Sequence, residues 1–183
     1  RTVEREAQQQ ARGIGQGITE VLLREGAKVA MTARGAETLI ASREAFATKY
    51  GAANLWSMAG DMTQKADIER AIDACEKEFG PIHGVIANVG ISESPLGSEV
   101  TDEQWEAGLD QNLNSAFRLA RTALRKMAPR KAGSIVFISS IAGVDTMGSA
   151  LIYGAAKAGL NHMSKALSRY AGDTGVRVNT IAP

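Results

Sequence analysis

Apolar and polar positions follow two different rhythms along the 183-residue chain. Short runs rich in apolar and β-branched residues recur: AKVAMTA at 27–33, ANLWSMAG at 53–60, PIHGVIAN at 81–88, GSIVFISS at 133–140 and GVRVNTIA at 175–182. Their lengths and glycine-bearing flanks predict five strands. Between them lie longer stretches whose apolar positions fall near i, i+3, i+4 and i+7, the repeat of one helix face. These predict helices over 17–26, 36–51, 64–80, 101–127 and 153–172. Gly26, Gly51, Gly80 and Gly172 follow the last periodic residue of four of them, where a left-handed glycine closes a helix. Thr101, followed by Asp102 and Glu103, has the chemistry of an N-cap with acidic residues in the first turn.

Strand–helix alternation with few hairpin signals predicts an α/β fold, a parallel sheet with helices on both faces. No internal repeat or low-complexity linker divides it, so residues 1–183 are expected to form one domain. In such sheets, ligands bind at the carboxyl ends of the strands, which directs attention to the residues just after each run.

Charge narrows the partners. Lys and Arg number 21 against 20 Asp and Glu, which leaves no electrostatic footprint for nucleic acid or an anionic membrane. No apolar run approaches the roughly 20 residues that span a bilayer, and RTVEREAQQQ has no apolar core of a secretory signal. Cys75 is the single cysteine, so no internal disulfide forms, which fits a reducing, cytoplasmic setting. Within its helical pattern Cys75 is expected to be a small buried hydrophobe.

Candidate chemistry lies at five places. In RGIGQG, Gly13 and Gly15 flank Ile14 at a helix start, where open backbone and the positive helix end suit a pyrophosphate; glycines also occur there for packing alone. Arg34 follows the 27–33 strand where an acidic residue would meet an adenosine ribose, and Arg12 precedes Gly13. Two guanidinium groups there would favour a 2′-phosphate, or would simply be solvated. Asp61 and Asn88 each follow an apolar strand and can line a crevice or pin a turn. Tyr153 and Lys157 stand at i, i+4 on one helix face. A lysine ammonium beside a phenol stabilises the phenolate and makes Tyr153 a usable general acid–base. Ser140 ends a strand thirteen residues before Tyr153, placed to hold a carbonyl or hydroxyl oxygen.

With RGIG, AGDMT, ANVG, LDQNLNSAF, GSIVFISSIAG, YGAAKAGL and VRVNTIAP in this order and spacing, the chain from about Arg12 to Pro183 resembles a classical short-chain dehydrogenase/reductase. Among its members, the 3-oxoacyl-carrier-protein reductases look similar, and many sugar, steroid and polyol dehydrogenases look the same. The resemblance implies a Rossmann-type doubly wound parallel sheet and an NADP-dependent oxidoreductase acting on a small carbonyl or alcohol substrate, with NAD the lesser choice and no metal. It implies that Tyr153 donates the proton and that Lys157 supports it and holds the nicotinamide ribose. Ser140 would orient the substrate oxygen, and Asn112 would anchor a water in a proton relay. Arg12, Gly13, Ile14, Gly15 and Arg34 would bind the phosphate end of the cofactor. Asp61 and Met62 would meet the adenine, Asn88 the adenosine side of the crevice, and Ile181 the nicotinamide carboxamide. Assembly as a homodimer or homotetramer through the helices 101–127 and 153–172 is implied too.

The chain departs from the family pattern in three places. Gln8 and Gln9 occupy the positions of the usual Thr-Gly, after VEREA where an apolar central strand is expected. Burying Glu4, Arg5 and Glu6 unpaired would cost on the order of several kcal/mol, so the first strand is expected to be atypical. Ala87 replaces the first asparagine of the usual Asn-Asn-Ala-Gly. The sequence ends at Pro183, so the fold is expected without the C-terminal strand and substrate loop. Two functions stay open on this basis: an active reductase, or a catalytically silent member acting only as a binding or assembly partner.

Overall fold

The register of the first two strands follows from which residues they must bury. In the computed structural model, which describes residues 13–92, 97–146 and 151–183, the chain separates into two compact units, one ending at Gly60 and one beginning at Asp61. The expectations for residues 3–9 and for Gln8, Gln9 and Arg12 lie outside the described residues.

The first unit holds α1 (Ile14–Arg24), β1 (Val29–Ala33), α2 (Ala36–Tyr50) and β2 (Leu55–Ala59). The strands are parallel, paired from Val29↔Leu55 to Ala33↔Ala59. Leu23, Val29, Phe46 and Leu55 form its buried core, with Leu22, Met31 and Tyr50 packed around them. Each large apolar side chain buried in this way contributes about 1.5–3 kcal/mol. Glu20 ties the two helices: its Oε1 accepts from Lys49 Nζ at 2.7 Å and from the Tyr50 hydroxyl at 3.0 Å. Gly26 and Gly51 close α1 and α2 with φ of 82° and 84°, as the helix ends predicted.

The second unit holds α3 (Lys65–Phe79), β3 (Gly84–Ala87), α4 (Asp102–Leu109), a π-turn (Asp110–Asn114), α5 (Ser115–Met127), β4 (Gly133–Ile138), α6 (Leu151–Ala171) and β5 (Val176–Ile181). β4 lies between β3 and β5, all parallel, in register from Gly84↔Ser134 and from Gly133↔Val176. Phe137, Ile135, Ile68, Met127 and Leu160 are fully buried. α5 packs on β3 and β4, and α6 on β5. Thr101 caps α4 in a reciprocal box: its hydroxyl accepts from the Gln104 amide, and its own amide donates to Gln104 Oε1.

Three expectations shift. The helix predicted over 101–127 is broken by the π-turn. The one over 153–172 begins at Leu151, and Gly172 does not close it. A 3₁₀ turn (Gly172–Thr174) follows, and Gly175 takes the left-handed conformation at φ 69°. There a Cβ would also run into the Lys131 carbonyl, so glycine is required twice over. Cys75 is half-buried rather than buried, and that burial pushes its thiol pKa up. No helix among the described residues is long and apolar enough to cross a membrane.

Candidate active site

In the first unit, Gly13 stands at the N-cap of α1 with extended backbone and no side-chain cap. Its carbonyl takes the amides of Gln16 and Gly17, so the amides at the helix start remain for a ligand. A Cβ added to Gly13 would meet nothing within 4 Å. Ile14 is half exposed, and the Gly15 carbonyl accepts from the Thr19 hydroxyl. Arg34 is exposed immediately after β1, where the chain turns through Gly35 into α2. Among the described residues, these are open backbone and a solvent-facing cation.

The second unit is built differently. Lys157 is 2% exposed although it carries an ammonium. Its Nζ donates to the carbonyl of Ile138, the last residue of β4, at 2.8 Å, and lies 5.4 Å from the centre of the Tyr153 ring, within cation–π range. Burial pushes the Lys157 ammonium pKa down. The helical spacing therefore does what the sequence predicts and puts both side chains on one face of α6. Gly90 shares the site: a Cβ on it would stand 2.8 Å from Asn112 Oδ1 and 3.1 Å from Lys157 Nζ. Asn88 enters the same segment directly from β3.

Asn112 is buried in the π-turn. Its Oδ1 accepts from the Ile91 amide at 2.9 Å, and its Nδ2 donates to the Gly108 carbonyl at 3.0 Å. The π-turn has a local cause. The Ser115 amide donates to the Asp110 carbonyl, five residues back, and the Ser115 hydroxyl donates to the Gln111 carbonyl at 2.6 Å. The carbonyl released by the extra residue is thus satisfied by a side chain. Gly108 lets α4 approach α6, because a Cβ there would collide with Ile152.

Ser140 follows β4 and caps a 3₁₀ turn (Ile141–Gly143), its Oγ accepting from the Ala142 amide at 3.3 Å. The Ser139 hydroxyl donates to the Lys157 carbonyl at 3.2 Å, and Asn161 Nδ2 donates to the Gly143 carbonyl at 3.1 Å. These bonds lock the segment bearing Ser140 to the helix bearing Tyr153 and Lys157.

Residues 10–183 match the family model for short chain dehydrogenase. The chain belongs to the short-chain dehydrogenase/reductase family. Escherichia coli (strain K12) 3-oxoacyl-[acyl-carrier-protein] reductase FabG is 35% identical over 176 residues, which is 94% of this chain and 69% of that protein. Mycobacterium avium 3-oxoacyl-[acyl-carrier-protein] reductase MabA is 34% identical over 173 residues, 94% of this chain and 62% of its own length. The chain thus spans about two thirds of these relatives. A short chain dehydrogenase from Mycobacterium smegmatis superposes with a TM-score of 0.89 at 27% identity, covering 94% of this chain and 72% of that one. The F189W actinorhodin polyketide ketoreductase solved with NADPH gives 0.88 at 30%, covering 93% and 66%. The family is one of oxidoreductases, and the fold is the Rossmann-type α/β arrangement expected.

Within this family frame, Asn112, Tyr153 and Lys157 stand together around Gly90 or on one face of α6, with Ser140 two residues beyond the carbonyl that holds Lys157. Ile181 ends β5, half exposed, with its carbonyl taking the Ser139 amide at 2.7 Å. Asp61 is a turn residue: its Oδ1 accepts from both the amide and the hydroxyl of Thr63 at 2.9 Å. Met62 is buried, so it offers a ligand backbone rather than side chain. Gly13, Ile14, Gly15 and Arg34 belong to the other unit.

Sequence reasoning missed Ser139, Gly143 and Asn161. A Cβ on Gly143 would stand 2.6–2.8 Å from Lys157 and Ala158 backbone atoms. The available signal was a glycine three residues after Ser140 with no left-handed turn to require it.

Proposed function

We propose that this chain transfers hydride between NADP(H) and a carbonyl or secondary alcohol, with Tyr153 as general acid–base. The observation that carries this reading is Lys157: an ammonium held 2% exposed against a tyrosine ring, with a backbone carbonyl 2.8 Å from its Nζ. Burying an ammonium is costly, and support for a developing phenolate gives that cost a chemical use.

The residues present fit a dinucleotide. The helix start at Gly13, with open space where a Cβ would go, suits a phosphate, and glycine at position 90 lets the chain pass close against Asn112 Oδ1 and Lys157 Nζ. Gly13, Ile14, Gly15 and Arg34 would hold the phosphate end; Asp61, Met62 and Asn88 the adenosine; and Lys157, Tyr153 and Ile181 the nicotinamide end. Exposed Arg34, in place of a carboxylate after β1, supports NADP over NAD, as does the likeness to a ketoreductase solved with NADPH. When bound, the nicotinamide supplies or accepts the hydride.

In the reductive direction, Tyr153 passes its hydroxyl proton to the substrate oxygen, and the Lys157 ammonium stabilises the phenolate left behind. Ser140 accepts from Ala142 and so keeps its own hydroxyl proton to orient that oxygen. The Asn112 amide is fixed at both ends, and a relay water would be anchored at this residue. The names of the relatives make 3-oxoacyl thioesters the first substrates to assay. Exposed Trp105 and Phe117, on α4 and α5, and Leu151 on α6 support assembly as a dimer or tetramer through these helices. The single Cys75 fits a cytoplasmic protein.

Titrating the protein with NADPH and following nicotinamide fluorescence tests the reading. Saturable binding, with oxidation of NADPH on addition of a 3-oxoacyl thioester, is expected. Absence of saturable binding overturns it.

A further inference from the structure

Two segments assigned to the site are joined by one side chain that carries no assigned role. Arg118 lies in the first turns of α5, its side chain 29% exposed. Its Nη1 donates to the Thr63 carbonyl at 2.8 Å, across 55 positions of sequence. Its Nη2 meets Asp110 Oδ1 at 2.7 Å. Thr63 belongs to the turn after β2, whose amide and hydroxyl are gathered by Asp61 and whose first amide donates to Asp67 Oδ2 at 2.7 Å. Asp110 opens the π-turn that carries Asn112. A guanidinium presents its donors in a rigid planar fork, so two bonds from one fork tie the Thr63 backbone to the Asp110 carboxylate.

Resting on the cofactor assignment above, we propose that Arg118 is a positioning residue that sets the Asp61–Gln64 turn and the Asp110–Asn114 π-turn in one fixed relation. The adenosine end of the cofactor site and the catalytic asparagine are then adjusted by a single side chain. The Arg118 guanidinium also holds the Asp110 carboxyl below its usual range, consistent with a formed rather than incidental pair. Lys126, on the same helix and 39% exposed, pairs with Asp73 and Glu76. Those partners both lie on α3, so Lys126 provides a control ion pair that touches neither segment.

The test compares Arg118→Ala, Arg118→Lys, Asp110→Asn and Lys126→Ala. Amide hydrogen exchange, NADPH affinity and turnover are measured on each. Arg118→Ala is expected to speed exchange at both 61–64 and 110–114, to weaken NADPH on the order of tenfold and to lower kcat by a similar factor. Asp110→Asn loses only one arm, so kcat falls while NADPH affinity holds. Arg118→Lys, which lacks the fork, restores one effect at most. Lys126→Ala changes none of these readouts. Faster exchange at only one segment, full rescue by lysine, or equal effects from Lys126→Ala overturns the proposal. Should the parent protein bind no NADPH, the cofactor assignment fails by itself, and the exchange data alone decide whether Arg118 couples the two turns.

Discussion

The two regions assigned to the cofactor and to catalysis are made in opposite ways. At the start of α1 and the end of β1, the first unit offers bare backbone at Gly13 and an exposed Arg34, with empty space where a side chain would go. Around Lys157, the described residues of the second unit are closely held. A buried ammonium, a buried asparagine and two further side chains, Ser139 and Asn161, bond the surrounding backbone at 2.8–3.2 Å. Phosphate recognition needs access and charge, which few residues supply. Proton transfer needs fixed distances, which only a packed, hydrogen-bonded surround supplies. Substitutions in the first region should therefore alter affinity while sparing the fold, and those in the second should alter rate, stability or both.

The sharpest break is Tyr153→Phe. It should lower kcat by about 10²- to 10⁴-fold, the share of a general acid–base, with NADPH binding retained. Turnover that survives would remove Tyr153 from the mechanism. Next, Arg34→Ala should raise the dissociation constant for NADPH on the order of ten- to a hundredfold, as expected for a charged hydrogen bond. Affinity for NADH should stay as it was, and an equal loss for both cofactors would refute a 2′-phosphate contact.

A matched pair of glycine changes tests the comparison directly. Gly143→Ala drives a methyl into the Lys157 backbone and should cost about 1–3 kcal/mol in urea unfolding. Gly13→Ala meets open space with an ordinary φ of −63°. It should leave stability within about 0.5 kcal/mol while weakening NADPH; similar stability losses for the two would erase the distinction.

The smallest effect concerns pH. Burial lowers the Lys157 pKa from 10.5, so between the folded value and 10.5 the unfolded chain binds more protons. Stability then rises with pH through that window. Relative to Lys157→Met, the protein should gain stability as pH climbs toward 10.5 and level off above it. A pH-independent difference between the two would contradict a buried, charged lysine.

Much of this was legible in the sequence because it is periodic. All five strands and all five helical regions fall where the two hydrophobic rhythms place them, with ends displaced by a few residues. Tyr153 and Lys157 were legible because helix geometry alone puts i and i+4 on one face. The π-turn was not. Its cause is a choice between two hydrogen-bond ladders, settled by Ser115 and Asn112, two small polar residues buried in mid-helix. Such residues are the available signal, but they read equally well as an ordinary helix face. Gly172 misled for a related reason: a 3₁₀ turn carried the chain three residues further, to Gly175. Asp61 shows the limit of a residue type, since a carboxylate after a strand is equally suited to a ligand and to its own turn. Ser139, Gly143 and Asn161 act through contacts across 14 residues of sequence or more, which no local pattern records.

The π-turn also makes chain length a functional variable. The wide turn takes up one extra residue, about 100° of helix phase, so α5 presents a face that an uninterrupted α-helix of the same length would not. The face of α5 made by Ala116, Ala120, Ala123 and Met127 is buried only because that residue is counted in. Between α4 and α5, then, the number of residues matters to the packing as much as their identity. A residue added within α4 or α5 has no such turn to take it up and would swing Arg118 away from Thr63 and a polar face toward the sheet.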